Sequence, residues 1–328
     1  MILTLVTLLS GCEPVADSGG ARTRRGNPQT DDGDYELVED TADTAELGEE
    51  PEPDTGDTSQ ACYLGPDRLT DVCFPTWGIS AAEGDYLYPA PYDGSAQYLA
   101  PARFLDLPAL DPEAEIAPNF TLGELGQDWK GRWAVVQPHL LVHLQALRDE
   151  IGEPLTVNSG YRSPAYNASV GGVTYSRHQY GDAADLDAGG LSVEELGDFC
   201  YAAGAAYVGL YENSHTHCDW RDDPLSTAFY DAVAERPAPL PSEAATVLCS
   251  DVCTAPAEGF DEGEPFRRWT ALDNEGRVLA RAAGRAFRPP AHTVRVAVVV
   301  GGRVSASATR ERDGVWRSDV PERAPAQR

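Results

Sequence analysis

Ser176-Arg177-His178-Gln179-Tyr180-Gly181-Asp182-Ala183-Ala184-Asp185 and, further along, His215-Thr216-His217-Cys218-Asp219 are the stretches that decide how this chain is read. His178 lies in a loop, seven residues before an Asp in a strand-prone run, and Gly181 lets the backbone turn between them. Strand alternation puts Ala184 and Leu186 on one face and Asp185 and Asp187 on the other. The same alternation groups His215, His217 and Asp219 against Thr216, Cys218 and Trp220. Small apolar residues thus face a core while imidazoles and carboxylates face a cleft. Imidazole and carboxylate are suitable zinc ligands, and three protein ligands leave a fourth position for water, whereas structural zinc usually closes its shell with Cys. Water on zinc is acidified to a pKa of about 7 and becomes a competent nucleophile.

Working outward, Asn119-Phe120-Thr121-Leu122-Gly123-Glu124-Leu125 reads as a helix start, with Thr121 as N-cap and Glu124 three residues on. Residues 136–151 carry Val136, Leu140, Leu141, Leu144, Leu147 and Ile151 at helical spacing, and Gly152 stops the run. His139 and His143 sit on this helix at i, i+4, but no Glu follows His139 as in HExxH, so two packed or surface histidines are the better reading. Leu155-Thr156-Val157-Asn158 is a short strand leading into Ser159-Gly160-Tyr161-Arg162. Residues 183–188 form a second strand. Residues 192–203 form a helix capped by Ser192 and Glu195, and residues 206–220 supply one or two more strands. Short strands, covering helices and no βαβ rhythm give an α+β fold with an antiparallel sheet. Residues 236–260, rich in Pro and Ala, read as a linker. Residues 261–328 read as a small all-β C-terminal module, with turn signals at Asp273-Asn274-Glu275-Gly276 and Gly301-Gly302 between β-prone runs.

The chain has 328 residues and a formal net charge of −28, which excludes a phosphate-backbone partner for want of a basic face. Residues 31–57 hold no Lys or Arg; with residues 13–61 as a whole they read as a disordered acidic tether. Residues 1–12 start with an apolar run of the length of a secretory signal, too short to span a bilayer as a mature helix. Leu9-Ser10-Gly11-Cys12 resembles a lipobox, which implies a lipid on Cys12, although no Lys or Arg precedes the apolar run; an ordinary cleaved signal peptide is the alternative. Six further cysteines, Cys62, Cys73, Cys200, Cys218, Cys249 and Cys253, agree with export and disulfides. Local pairing gives Cys62–Cys73, Cys200–Cys218 and Cys249–Cys253, though sequence alone does not fix the connectivity. With no CxxC pair, a zinc ribbon is rejected. Residues 62–235 then form one domain, which begins with a Tyr/Pro-rich extension wrapped on its surface.

Ser176-x-His178-x-x-Gly181-x-Ala183-x-Asp185 followed by His215-x-His217 resembles the zinc D-Ala-D-Ala carboxypeptidase and murein endopeptidase family, part of the fold group that includes lysostaphin and the hedgehog signalling domain. Asn158-Ser159-Gly160-Tyr161-Arg162 resembles the family's Ser-Gly-Tyr-Arg signature. The likeness runs over about residues 120–221 and leaves out the tether, the extension and the β module. It implies that His178, Asp185 and His217 bind Zn2+, that His215 stabilises the transition state beside the metal, and that Arg162 contacts a substrate carbonyl or carboxylate. Tyr161 and Ser159 shape the pocket. Many members carry Asp or Glu three residues before the last ligand, where this chain has Ser214; Glu212 or Asp219 is then the expected general base or ligand orienter. The implied function is a monomeric, envelope-located, zinc-dependent peptidase acting on peptidoglycan peptides or crosslinks. The rival is a peptidoglycan-binding or structural envelope protein that keeps the metal but does not catalyse.

Overall fold

A five-stranded antiparallel sheet carries the two decisive stretches side by side. Its strands are β1 (Leu155–Ser159), β2 (Ala183–Ala188), β3 (Tyr207–Tyr211), β4 (His215–Asp219) and β5 (Glu264–Pro265), in the order β5-β3-β4-β2-β1. The register sets His217 opposite Asp185 on one side and opposite Gly209 on the other. The computed structural model describes residues 59–79, 84–91, 96–212, 214–231, 243–260 and 262–319. The expected signal sequence with its lipidated Cys12, and the acidic run 31–57, lie outside the described residues. The described residues belong to one unit, Pro53–Arg328.

Four helices form where local chemistry starts and stops them. In α1 (Leu122–Leu125) the Thr121 backbone N–H donates to the Glu124 carboxylate at 2.8 Å, the expected capping box. α2 (Pro138–Ile151) begins on a proline, whose missing N–H costs nothing there, and ends at Gly152 with φ +73°. It buries Leu140, Leu141, Leu144 and Leu147, the stripe visible in its spacing. α3 (Pro164–Ser169) is capped by Ser163. In α4 (Val193–Ala202) Ser192 and Glu195 exchange hydrogen bonds at 2.8 and 3.2 Å. α4 packs on β3 and β4 over the face that carries Cys218, and Cys200 on this helix is bonded to it. Cys62–Cys73 and Cys249–Cys253 are also paired. Asp187, expected to share the cleft with Asp185, is exposed instead; it pairs with Thr156 toward the far end of β1 and turns to solvent.

The Tyr/Pro-rich extension packs on the core that follows it. Tyr63, Tyr86, Phe104, Leu105 and Leu107 enter the core shared by α2, α4 and the sheet, and the Tyr63 hydroxyl donates to the Val136 carbonyl at 2.8 Å. Gln60 and Ala61, placed by composition in the tether, lie in strand Gln60–Tyr63, and Ala61 is fully buried.

The C-terminal region departs from the expected boundaries. Residues 243–260, read as a linker, contain strands Ala244–Ala245, Leu248–Cys249, Cys253–Thr254 and Ala257–Glu258. Their small side chains let strands pair closely, so the Ala-rich composition marked packing and not chain freedom. A second antiparallel sheet follows: β6 (Arg267–Leu272), β7 (Val278–Ala283), β8 (Arg295–Val300), β9 (Val304–Arg310) and β10 (Trp316–Ser318), ordered β7-β6-β8-β9-β10. It has its own core around Trp269, Val296, Val298 and Val300. The all-β region is not detached from the first sheet. β5 pairs with β3, Phe266 is buried in the first core, and the Val208 N–H donates to Gly301 O at 3.1 Å.

Candidate metal centre

Three backbone devices bring the cluster together. His178 sits on a single 3-10 turn, Arg177–Tyr180, ended by Gly181 at φ +79°. A side chain at 181 would overlap the Val135 carbonyl, and the Gly181 carbonyl accepts from the Gln137 N–H at 2.9 Å. Arg177, fully buried, forms an ion pair with Asp182 and donates to the Gln97 carbonyl at 2.7 Å, with the Tyr180 ring 4.6 Å from its guanidinium. This pair ties the turn to the start of β2. A buried ion pair of this kind holds geometry more than it adds stability. The loop after β1 is braced by the Tyr161 N–H on the Leu125 carbonyl at 2.7 Å.

On this frame His178 Nε2, Asp185 Oδ1 and His217 Nδ1 converge. His178 Nε2 lies 3.1 Å from Asp185 Oδ1 and 3.1 Å from His217 Nδ1, and His217 Nδ1 lies 3.2 Å from Asp185 Oδ1. All three residues are buried, and among the described residues they form the one His/Cys/Asp/Glu group tight enough to hold a metal ion. The far nitrogens fix the tautomers. His178 Nδ1 faces the Gly160 carbonyl at 2.7 Å, a pure acceptor, so Nδ1 carries the proton and Nε2 keeps its lone pair. His217 Nε2 faces the Asp219 carboxylate at 3.4 Å, which leaves the Nδ1 lone pair facing inward in the same way. Two lone pairs and a carboxylate oxygen at these distances repel each other unless a cation sits among them. Tetrahedral zinc with bonds of about 2.0–2.2 Å sets its donors a little over 3 Å apart, so the set fits such an ion.

The surrounding charges agree. Burial alone would lower the His217 pKa, but the negative charge of Glu262 and hydrogen bonds to Asp185 and Asp219 raise it to about 10, so the field here favours positive charge. Against its own burial, His178 and then His217 hold the Asp185 carboxyl well below the usual range. Asp219 is fully buried and engaged by Arg221, whose Nε donates to Oδ1 at 2.7 Å and whose Nη2 donates to Oδ2.

The other expected site residues take distinct places. Arg162 donates from Nη2 to Asp185 Oδ2 and from Nε to Ser159 Oγ at 2.9 Å, so it grips the Asp185 carboxylate. His215 is at the rim: its Nε2 lies 3.6 Å from Asp185 Oδ1, its Nδ1 is 2.8 Å from Ser214 Oγ, and its ring stacks on Tyr211 at 4.3 Å. Burial lowers its pKa, with the Asp185 charge opposing. Glu212 is 69% exposed and pairs with Arg285 at 3.3 Å, turned to solvent instead of joining the cluster. Tyr161 bonds Tyr88 Oη at 3.0 Å behind the loop, and Ser159 is the shared acceptor for Arg162 and Lys130. His143 pairs with Asp223 at 2.7 Å and stacks on Trp220, a packing role as read.

Residues 118–219 match the Peptidase M15 family. The chain is also 38% identical over 133 residues to the Zinc D-Ala-D-Ala carboxypeptidase of Streptomyces albus G, a match covering 36% of this chain and 51% of that protein. The chain thus spans about half the length of this relative. The matched segment contains every residue of the cluster and ends at Asp219, before Arg221 and Glu262.

Two charged groups near the M15 centre were not singled out from sequence. Lys130, 3% exposed, donates to Ser159 Oγ at 2.8 Å; burial and then the Arg162 charge bring its pKa down to about 8 against the pull of Asp185. The Asp128-Trp129-Lys130 run has no pattern that marks a buried lysine. Glu262 comes from a segment read as β module and reaches the sheet only through the β5 pairing.

Proposed function

We propose that this chain is a zinc-dependent peptidase of the cell envelope that hydrolyses amide bonds in peptidoglycan stem peptides or crosslinks, with His178, Asp185 and His217 as zinc ligands. The observation that carries the reading is the convergence of two tautomer-fixed imidazole lone pairs and one carboxylate oxygen within 3.2 Å of one another. The M15 match and the name of the Streptomyces relative support the same metal and substrate class.

A zinc ion bound here supplies a Lewis acid for the scissile carbonyl and lowers the pKa of the attacking water. The protein's own groups do the rest. Asp219, clamped by Arg221, accepts from His217 Nε2 and so orients that ligand, a partner of the kind that raises ligand basicity. Arg162 holds Asp185 through Oδ2, which keeps Oδ1 turned inward. The Ser214 hydroxyl can donate to His215 Nδ1, leaving Nε2–H at the rim to donate to negative charge growing on the substrate carbonyl. Two M15-like ligands held by carbonyl and carboxylate partners make a rigid centre, as hydrolysis needs.

A non-catalytic, peptidoglycan-binding envelope protein is the second reading, and it draws on Ser214 standing where many relatives carry an acid. Digestion of purified peptidoglycan separates the two. The peptidase reading predicts new peptide fragments by mass analysis with wild type, none with His217→Ala, and none after chelation. Intact peptides with the zinc-loaded wild type favour the binding protein. Mass analysis of the products from a defined muropeptide also identifies the scissile bond. No helix among the described residues is long and apolar enough to cross a membrane; envelope attachment through Cys12 is tested by labelling with a radioactive fatty acid.

A further inference from the structure

The M15 cluster lacks a usable carboxylate within its own segment. Position 214 is a serine, Glu212 points to solvent on Arg285, and both Asp219 oxygens are engaged by Arg221 and His217. Glu262 is different. It is 7% exposed, and its Oε1 is buried with no hydrogen-bond partner among the described residues. The Tyr211 side chain hydrogen-bonds the group, but a carboxylate oxygen taken from water without a partner is costly, so Oε1 calls for a purpose.

The backbone sets Glu262 beside the metal ligands. Gly209 lies directly opposite His217 in the β3–β4 register, and neighbouring antiparallel residues are about 5 Å apart. A Cβ at 209 would overlap the Glu262 carbonyl, so the Glu262 main chain fills the gap that this glycine leaves on the face of the sheet carrying His217. The Tyr207 hydroxyl, two residues along the same face, donates to the Glu262 carbonyl at 2.9 Å. The Glu262 charge is felt at His217, Tyr207 and Tyr211, and Tyr211 stacks on His215. Glu262 also lines a cavity of about 210 Å³ with Tyr98, Thr174, Tyr207, Arg221 and Phe260.

We propose that Glu262, supplied from outside the M15 segment, is the carboxylate that accepts the proton of the attacking water in place of an acid at position 214. The inference rests on the peptidase reading. In the step, the water oxygen forms a bond to the scissile carbonyl carbon while its proton passes to the Glu262 carboxylate; that proton then goes to the leaving amine as the C–N bond breaks, and Glu262 returns to its ionised form. The active site thus takes one carboxylate, Glu262, from outside residues 118–219.

The test compares wild type, Glu262→Gln and Glu262→Asp for kcat and KM on a defined muropeptide, zinc affinity by competition with a chromophoric chelator, and thermal midpoint. Glu262→Gln is nearly isosteric and loses the proton acceptor; its kcat should fall about 10²–10⁴-fold while KM and zinc affinity stay at wild-type values. Glu262→Asp keeps the carboxylate and should retain more kcat than the Gln variant. A packing role reverses that order, because Asp is the shorter side chain, and the reversed order overturns the proposal. Wild-type kcat in Glu262→Gln overturns it, and so does a loss of kcat that only tracks lost zinc. A wild type that leaves the peptide intact refutes the peptidase reading itself, a distinct result from a wild type and a Glu262→Gln variant that cut equally.

Discussion

At the scale of single residues, the cluster is held by partners that fix which nitrogen faces inward. Asp219 orients His217, so Asp219→Asn should weaken zinc binding about 10–100-fold without removing a ligand. Chelator competition measures this, and unchanged affinity would show that His217 needs no such partner. The buried lysine makes a prediction about pH. An unfolded lysine keeps its proton to about pH 10.4, whereas burial and Arg162 bring folded Lys130 down to about 8. Below pH 8 the lysine is charged in both states and burial of that charge opposes folding. Between about pH 8 and 10.4 the unfolded chain binds more protons, so this group makes stability rise with pH. Lys130→Met should remove that rise, read as the difference in urea midpoints between pH 7.5 and pH 10 for wild type and variant. Equal differences in the two proteins contradict the assignment.

At the scale of elements, the strands carrying Asp185 and His217 and their cover were legible because each carried a local signal. The alternation in residues 183–188 and 215–219, the capping pairs Thr121/Glu124 and Ser192/Glu195, and the inward Cys218 all act within a few residues. Glu262 was not legible. Its role depends on β5 joining β3 across more than fifty residues, and Glu264-Pro265 has no pattern that announces a sheet edge. Asp187 misled for the opposite reason: alternation gives its face but not how far along the sheet the cleft extends. Gly209 is the element-scale signature of the β5 contact. Gly209→Ala should force β5 and Glu262 off the sheet at a cost of about 1–3 kcal/mol, measured by denaturant unfolding. A neutral effect would mean that the Glu262 backbone does not occupy that space. Breaking Cys200–Cys218 with a double Ser substitution should cost about 2–4 kcal/mol, since that bond ties α4 to the strand bearing His217.

At the scale of the whole molecule, the two sheets are expected to unfold together. β5 is a strand of the first sheet, Phe266 fills its core, and Arg268 pairs with Asp198 of α4 at 3.2 Å. Calorimetry of the full chain should give one cooperative transition, and two separated transitions would contradict this coupling. The linker expected over residues 236–260 carries strands within 243–260, because Pro and Ala content reports chain chemistry, not which strand a segment pairs with. Zinc should raise the midpoint of this single transition, as any ligand bound only by the folded state does. The most direct test of the metal centre is anomalous X-ray scattering from crystals of the zinc-loaded protein, measured on either side of the zinc edge. The account predicts one peak per chain, bounded by His178 Nε2, Asp185 Oδ1 and His217 Nδ1. A peak at another site, or none between these three atoms, contradicts it.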